Sequence, residues 1–138
     1  MNSVQEEFNN RLNEIRNDMV LEVSNWWGHE FAGYGGKIIT NKREVYGYSF
    51  HFRTPDGEEN KNSLEKIKDL SDEEYNRIIK FIEDEIANKE FEDNQIFDAG
   101  FDVVVNYNGI NKKIRNNKGF GDNFGLYDKV DKLLKELM

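Results

Sequence analysis

The sequence contains no cysteine, only one proline and only two histidines among its 138 residues. Without cysteine the chain has neither disulfides nor thiolate chemistry. No apolar run approaches the roughly 20 residues that a membrane-spanning helix needs. The first residues also lack the basic and apolar regions of a signal peptide. We therefore expect a soluble, cytoplasmic protein that has neither a cofactor nor a bound metal.

Apolar residues are nevertheless frequent enough to form a core. Hydrophobic residues make up 37% of the chain and aromatic residues 13%. The length lies close to the most common size of a protein domain. Composition and length therefore predict a single α+β domain over residues 1–138.

Negative charge is concentrated in the middle of the chain. The net charge is -8, and residues 58–98 hold 14 acidic and 6 basic residues, whereas acids and bases cancel elsewhere. The densest part is the acidic segment, which comprises Glu83, Asp84, Glu85, Glu90, Glu92 and Asp93. A solvated helix face is one interpretation of this pattern. The other is a surface that binds a basic protein partner and disfavours nucleic acid.

Periodicity assigns the first half of the chain to one helix and one hairpin. Apolar residues at spacings of three and four predict a long helix over 3–26, ended by Gly28. Alternating aromatic and polar residues predict a β-hairpin from strands 36–42 and 45–53. The lone proline, Pro55, lies in the turn that closes the second strand.

The sequence of the second half of the chain predicts a similar succession of helices and strands. A polar loop over 58–62 is followed by a short helix or irregular edge, and a capping box at Ser71 starts a helix that runs to about Lys89. Asn108-Gly109, a preferred type I′ turn, joins strands 101–107 and 110–115. A last helix follows at about 124–137. The predicted order is α-β-β-α-α-β-β-α, with two hairpins in one antiparallel sheet and the helices packed on one face.

No group of residues predicts catalysis or a metal site. Ser49, His51 and Arg53 share one face of a strand, where neighbours lie about 7 Å apart, too far for a Ser–His hydrogen bond. Asp98 and Asp102 flank the start of a strand without the spacing of a calcium loop. We expect neither catalytic residues nor metal ligands, and therefore no enzyme.

A basic segment near the C-terminus supports an alternative function. It comprises Lys112, Lys113, Arg115, Lys118, Gly119 and Gly121. Glycine amides before a helix N-terminus, together with basic side chains, suit a phosphate group. The alternative hypothesis is thus a small domain that binds a nucleotide or another anion; a flexible connecting loop is the simpler explanation of the glycines.

One stretch carries a resemblance to a known family. The residues from Arg43-Glu44-Val45-Tyr46 to Phe52-Arg53-Thr54-Pro55-Asp56-Gly57, with the helix before them and the acidic helix after them, resemble YezG-type immunity proteins of bacterial polymorphic nuclease toxins. The resemblance covers about residues 1–107 and does not extend to the basic segment. It implies a cytoplasmic, non-catalytic inhibitor that binds and occludes a toxin or defence effector. It assigns no interface residue.

Overall fold

The computed structural model describes residues 3–28, 31–91, 99–115 and 125–138. They form one six-stranded antiparallel sheet with three α-helices. The helices are α1 (Ser3–Arg16), α2 (Asp72–Phe81) and α3 (Leu126–Leu137), and one turn of π-helix, Ile82–Ile86, continues α2. The strands are β1 (Met19–Trp27), β2 (Gly33–Thr40), β3 (Glu44–Arg53), β4 (Glu59–Asp69), β5 (Ala99–Tyr107) and β6 (Ile110–Arg115). None of the described helices is long and apolar enough to cross a membrane.

The strands lie in the order β4-β3-β2-β1-β5-β6, and each neighbouring pair is antiparallel. Two predicted hairpins are present, β2–β3 and β5–β6. Asn108 and Gly109 both have positive φ, as the type I′ turn requires. The α+β class and an antiparallel sheet that includes both hairpins are therefore confirmed, but the sheet has six strands rather than four.

The prediction of one helix over 3–26 is wrong beyond Arg16. The helix ends at Asn17-Asp18, where the amide of Asp18 donates to the carbonyl of Ile15 at 3.1 Å. The following segment, Met-Val-Leu-Glu-Val-Ser-Asn-Trp-Trp, forms β1 and pairs with β2 on one side and β5 on the other. Its spacing of apolar residues fits a helix as well as a strand, and pairing on both edges decides for the strand.

The prediction of a loop over 58–62, followed by a short helix or irregular edge, is wrong for the loop and for the helix. These residues form β4, which pairs with β3 along most of its length and lies at one edge of the sheet. Nearly every side chain of β4 is exposed or only partly buried. Because neither face of this edge strand is deeply buried, its sequence lacks the apolar alternation by which strands are recognised.

The helices lie on both faces of the sheet, which corrects the prediction of a single helical face. Ile38 and Ile39 are adjacent in β2 and therefore point to opposite faces, yet both are almost completely buried. Ile38 packs in a cluster with Phe8 and Leu12 of α1. Ile39 packs in a larger cluster with residues of α2 and α3, among them Ile78, Ile82, Ile86, Val130 and Leu134. The sheet is thus the middle layer of three.

The helix after β4 follows its prediction at the start. Ser71 caps α2 by accepting a hydrogen bond from the amide of Glu74, and the Glu74 carboxylate accepts one from the amide of Ser71. The last turn widens to π-helix, where the amide of Ala87 donates to the carbonyl of Ile82 at 2.9 Å. This turn keeps Ile82 and Ile86 buried and carries the first three residues of the acidic segment between them.

Candidate functional site

The acidic segment begins at the C-terminal end of the α2 helix. Glu83 and Asp84 are exposed on the π-helical turn, and Glu90 is exposed just beyond it. None of these three carboxylates forms an ion pair with the residues that the structure describes. Glu92 and Asp93 lie outside the described residues. The structure therefore brings together four of the six predicted acids, Glu85 being the fourth.

Glu85 differs from its neighbours because it is neutralised within the chain. Its carboxylate accepts hydrogen bonds from Lys89 at 2.9 Å and from Lys129 of α3 at 3.2 Å. The hydrogen bonds from Lys89 and Lys129 lower the pKa of Glu85 below its ordinary value. Glu85 thus holds α2 against α3 at the surface, and its charge is less available to a partner than that of Glu83 or Asp84.

The position of these acids is unfavourable for the helix itself. A helix carries partial negative charge at its C-terminus, where acidic side chains are repelled and basic ones are stabilising. Lys112 of β6 compensates for the partial negative charge at this helix end. Its ammonium donates hydrogen bonds to the carbonyls of Ile86, Ala87 and Lys89 at 2.8, 3.0 and 2.8 Å. The carbonyls at the helix end are therefore satisfied, whereas no described residue compensates the charges of Glu83 and Asp84.

The contacts of Lys112 also show how the structure arranges the basic segment. Lys112 and Lys113 are successive in β6 and point to opposite faces of the sheet. Lys112 is held by the helix carbonyls. Arg115, on the face of Lys113, pairs with the largely buried Asp102 through a hydrogen bond of 3.1 Å. These three basic groups do not converge on one point, and Lys118, Gly119 and Gly121 lie outside the described residues.

Other charged residues in the acid-rich middle of the chain also form ion pairs. Lys66 binds Asp69 at 3.0 Å and Lys68 binds Glu74 at 2.5 Å, while Arg77 of α2 binds Glu136 of α3 at 2.7 Å. The exposed charges of residues 58–91 are thus partly balanced by local bases. Glu83 and Asp84 stand out because they are adjacent, exposed and unpaired among the described residues.

The candidate catalytic residues do not form a catalytic arrangement. His51 lies beside the indole of Trp27, with ring centroids 5.5 Å apart, and it forms no hydrogen bond to Ser49. Among the described residues no group of three or more histidine or acidic side chains could hold a metal ion.

Sequence reasoning overlooked a concave region, a cavity of about 410 Å³ on the sheet face beside α3. Its signal in the sequence was the group of glycines at 35, 36 and 47.

Comparisons of this chain with protein families, with curated proteins and with solved structures found no match. The resemblance to YezG-type immunity proteins therefore stays a prediction.

Proposed function

We propose that this chain is a non-catalytic binding protein of the immunity type, which occludes a basic surface on a protein partner. Glu83, Asp84 and Glu90 contact the partner directly. The partner is a toxin domain or defence effector with lysines and arginines clustered at its own functional surface. Glu92 and Asp93, two further predicted contacts, lie outside the described residues.

The observation that carries this proposal is the placement of Glu83 and Asp84 on the last turn of a helix. Local electrostatics favours bases there, and the chain neutralises the carbonyls and Glu85, whereas no base of the described residues pairs with these two carboxylates. Residues that oppose local rules without compensation within the fold are expected at functional sites. Intermolecular pairing with a basic partner supplies the missing compensation.

The charge of the whole chain supports the same conclusion. A net charge of -8 attracts a basic protein at a distance and raises the rate of encounter. At physiological salt this attraction extends over about 8 Å, so only charges near the contact contribute strongly. We therefore expect the association rate to fall steeply as salt is added, while the dissociation rate changes less.

The experiment that tests the proposal is co-expression with the toxic protein encoded beside this chain. Wild-type protein should restore growth, and the purified pair should bind. The double variant Glu83→Lys/Asp84→Lys should lose rescue and weaken binding by about a hundredfold, since a close charge pair at an interface contributes about 1.5 kcal/mol or more and two such pairs are lost. A matched control, Glu7→Lys/Glu14→Lys, makes the same change in net charge on exposed residues of α1.

The control distinguishes a specific surface from general acidity. The proposal requires the Glu7→Lys/Glu14→Lys variant to bind the partner nearly as well as wild type. It requires the Glu83→Lys/Asp84→Lys variant to lose partner binding while circular dichroism shows that it remains folded. Equal binding by the two double variants would show that Glu83 and Asp84 are not at the interface. Turnover of a substrate by the purified chain would overturn the non-catalytic assignment.

A further inference from the structure

The sheet face that carries α2 and α3 is only partly covered by them. Beyond α3 the sheet is open, and a groove lies between that helix and strands β1 to β4. We call it the sheet-face groove. Its volume of about 410 Å³ falls within the range of sites for small ligands.

Glycines create the floor of this groove. The strand register aligns Asn25, Gly35, Ser49 and Ser63 in one row across four strands, and Val23, Lys37, Gly47 and Glu65 in the next. Cross-strand partners share a face, so Gly35 and Gly47 lie among neighbours with larger side chains. Added Cβ atoms would lie 2.9 Å from the carbonyl oxygen of Tyr48 and 2.6 Å from the tip of Ile67 respectively. The two glycines thus contribute no side chains to the groove, and the tip of Ile67 lies over Gly47.

Five polar side chains that line the groove have no partner among the residues that the structure describes. They belong to Asn25, Lys37, Ser49, Ser63 and Glu65. No hydrogen bond or ion pair joins them to another described residue. Lysines elsewhere on the surface differ from Lys37 of the groove, because they pair with nearby carboxylates; these are Lys42, Lys61, Lys66 and Lys68. Donors and acceptors that converge on a concave site without internal partners are free to bind a ligand.

The charges of the groove define the chemistry of that ligand. Lys37 supplies one positive charge, and Glu65 lies in the same row two strands away, about 10 Å distant at the Cα atoms. Asp131 of α3 adds a second carboxylate at the wall, although it also pairs with Lys135 at 2.9 Å. A complementary ligand carries one carboxylate for Lys37 and a cationic nitrogen for Glu65 and Asp131.

We propose that the sheet-face groove binds a small zwitterion of the basic amino-acid type, either free or as the C-terminal residue of a peptide. Its carboxylate pairs with Lys37, its cationic side chain extends past the tip of Ile67 towards Glu65, and Asn25 and Ser49 bind the remaining polar atoms. A neutral sugar would leave charges of both signs unpaired in the groove. A simple anion would meet two carboxylates. This site uses residues other than those of the proposed protein interface and is independent of it.

Isothermal titration calorimetry with matched ligands tests the proposal. L-Arginine should bind, agmatine lacks the carboxylate for Lys37, and citrulline lacks the cation for Glu65. Both analogues should bind at least tenfold more weakly than arginine. The dipeptide Gly-Arg separates the two sources, since tighter binding than arginine identifies a peptide terminus and weaker binding identifies the free amino acid.

Variants assign the binding to the groove. Lys37→Met and Glu65→Gln should each weaken arginine binding at least tenfold, whereas Glu59→Gln, which removes a charge elsewhere on β4, should leave it unchanged. All three side chains extend from strands and pair with no other described residue, so the fold should persist, as circular dichroism would verify. Failure of arginine and Gly-Arg to bind would overturn the proposal. The proposal would also be overturned if wild type bound arginine and citrulline equally well, or if Lys37→Met bound arginine as tightly as wild type does.

Discussion

Arg16 binds Glu22 through two parallel hydrogen bonds, from Nε to Oε1 and from Nη2 to Oε2, each 2.9 Å long. Glu22 is only 4% exposed, on the sheet face that carries α1. The hydroxyl of Tyr48 donates to the same carboxylate at 2.5 Å, and the guanidinium lies 5.7 Å from the centre of the tyrosine ring. The last residue of α1 is therefore fixed to the central strand that follows it.

The first prediction concerns this ion pair. Arg16→Met leaves the carboxylate of Glu22 buried with the Tyr48 hydroxyl as its remaining side-chain partner, and should lower the free energy of unfolding by about 3 kcal/mol. Replacing both charges, as Arg16→Met/Glu22→Leu, should recover much of that loss because no buried charge remains. Urea unfolding of the single and double variants measures both values. A double variant no more stable than Arg16→Met would contradict this expectation.

The second prediction concerns stability at high pH. Burial raises the pKa of the Tyr48 hydroxyl above its ordinary value, and the neighbouring Glu22 carboxylate raises it further. The unfolded chain releases this proton near pH 10, whereas the folded chain keeps it. Protons are therefore bound more tightly by the folded state, and stability is lost as pH rises above about 10.

Chemical denaturation of wild type and Tyr48→Phe between pH 8 and pH 11.5 checks this. Tyr48→Phe should be less stable at pH 8, because Glu22 loses a donor, yet its stability should decline less steeply above pH 10. Burial also raises the pKa of Tyr34, Tyr75 and Tyr127, so some decline should remain. Parallel curves for the two proteins would exclude Tyr48 as a source of the effect.

The third prediction separates stability from function at the end of α2. Glu83→Gln/Asp84→Asn removes charges that oppose the helix dipole and should raise Tm by roughly 1–4 °C while weakening partner binding. Lys112→Met has the opposite effect on the fold, because it removes a donor from three carbonyl groups, of which that of Ile86 keeps a bond from the Lys89 amide. It should lower the free energy of unfolding by about 1–2 kcal/mol. Thermal unfolding by circular dichroism measures both changes, and a lower Tm for the amide variant would show that the carboxylates stabilise the helix.

The fourth prediction compares two glycines in the sheet. A Cβ at Gly36 would collide with the backbone carbonyl of Val23 in the central strand, which cannot move without breaking the β1–β2 pairing. A Cβ at Gly47 would meet only the tip of Ile67, which is 45% exposed and free to rotate. Gly36→Ala should therefore cost about 3 kcal/mol, and Gly47→Ala less than about 1 kcal/mol. Similar losses in urea unfolding would contradict the distinction between a rigid and a flexible neighbour.

Local patterns in the sequence predicted the elements whose apolar residues follow one period. The hairpin around Asn108-Gly109, the capping box at Ser71 and the amphipathic α3 all formed as expected. The chain from Met19 to Trp27 was misassigned because its apolar spacing suits a helix, whereas pairing with β2 on one edge and with β5, about 80 positions later, on the other makes it a strand. The apolar spacing of the segment itself does not encode that choice.

The candidate sites were predictable to different degrees. Clustering of acids along the sequence correctly placed Glu83 to Glu85 on one helical turn, but not the neutralisation of Glu85 by Lys129, which α3 supplies from 44 residues away. The polar row of the sheet-face groove unites residues from four strands, including β4, which was not recognised as a strand. Its composition depends on strand register, which only the folded sheet reveals.

The central position of β1 has a consequence for synthesis of the chain. As the polypeptide leaves the ribosome, β1 to β4 can pair successively with neighbours only a few residues apart, but the other side of β1 stays without hydrogen bonds until β5 emerges. Hydrophobic strands exposed in this way invite pairing with other nascent chains. The late arrival of β5 and β6 therefore sets the interval during which the protein depends most on chaperones.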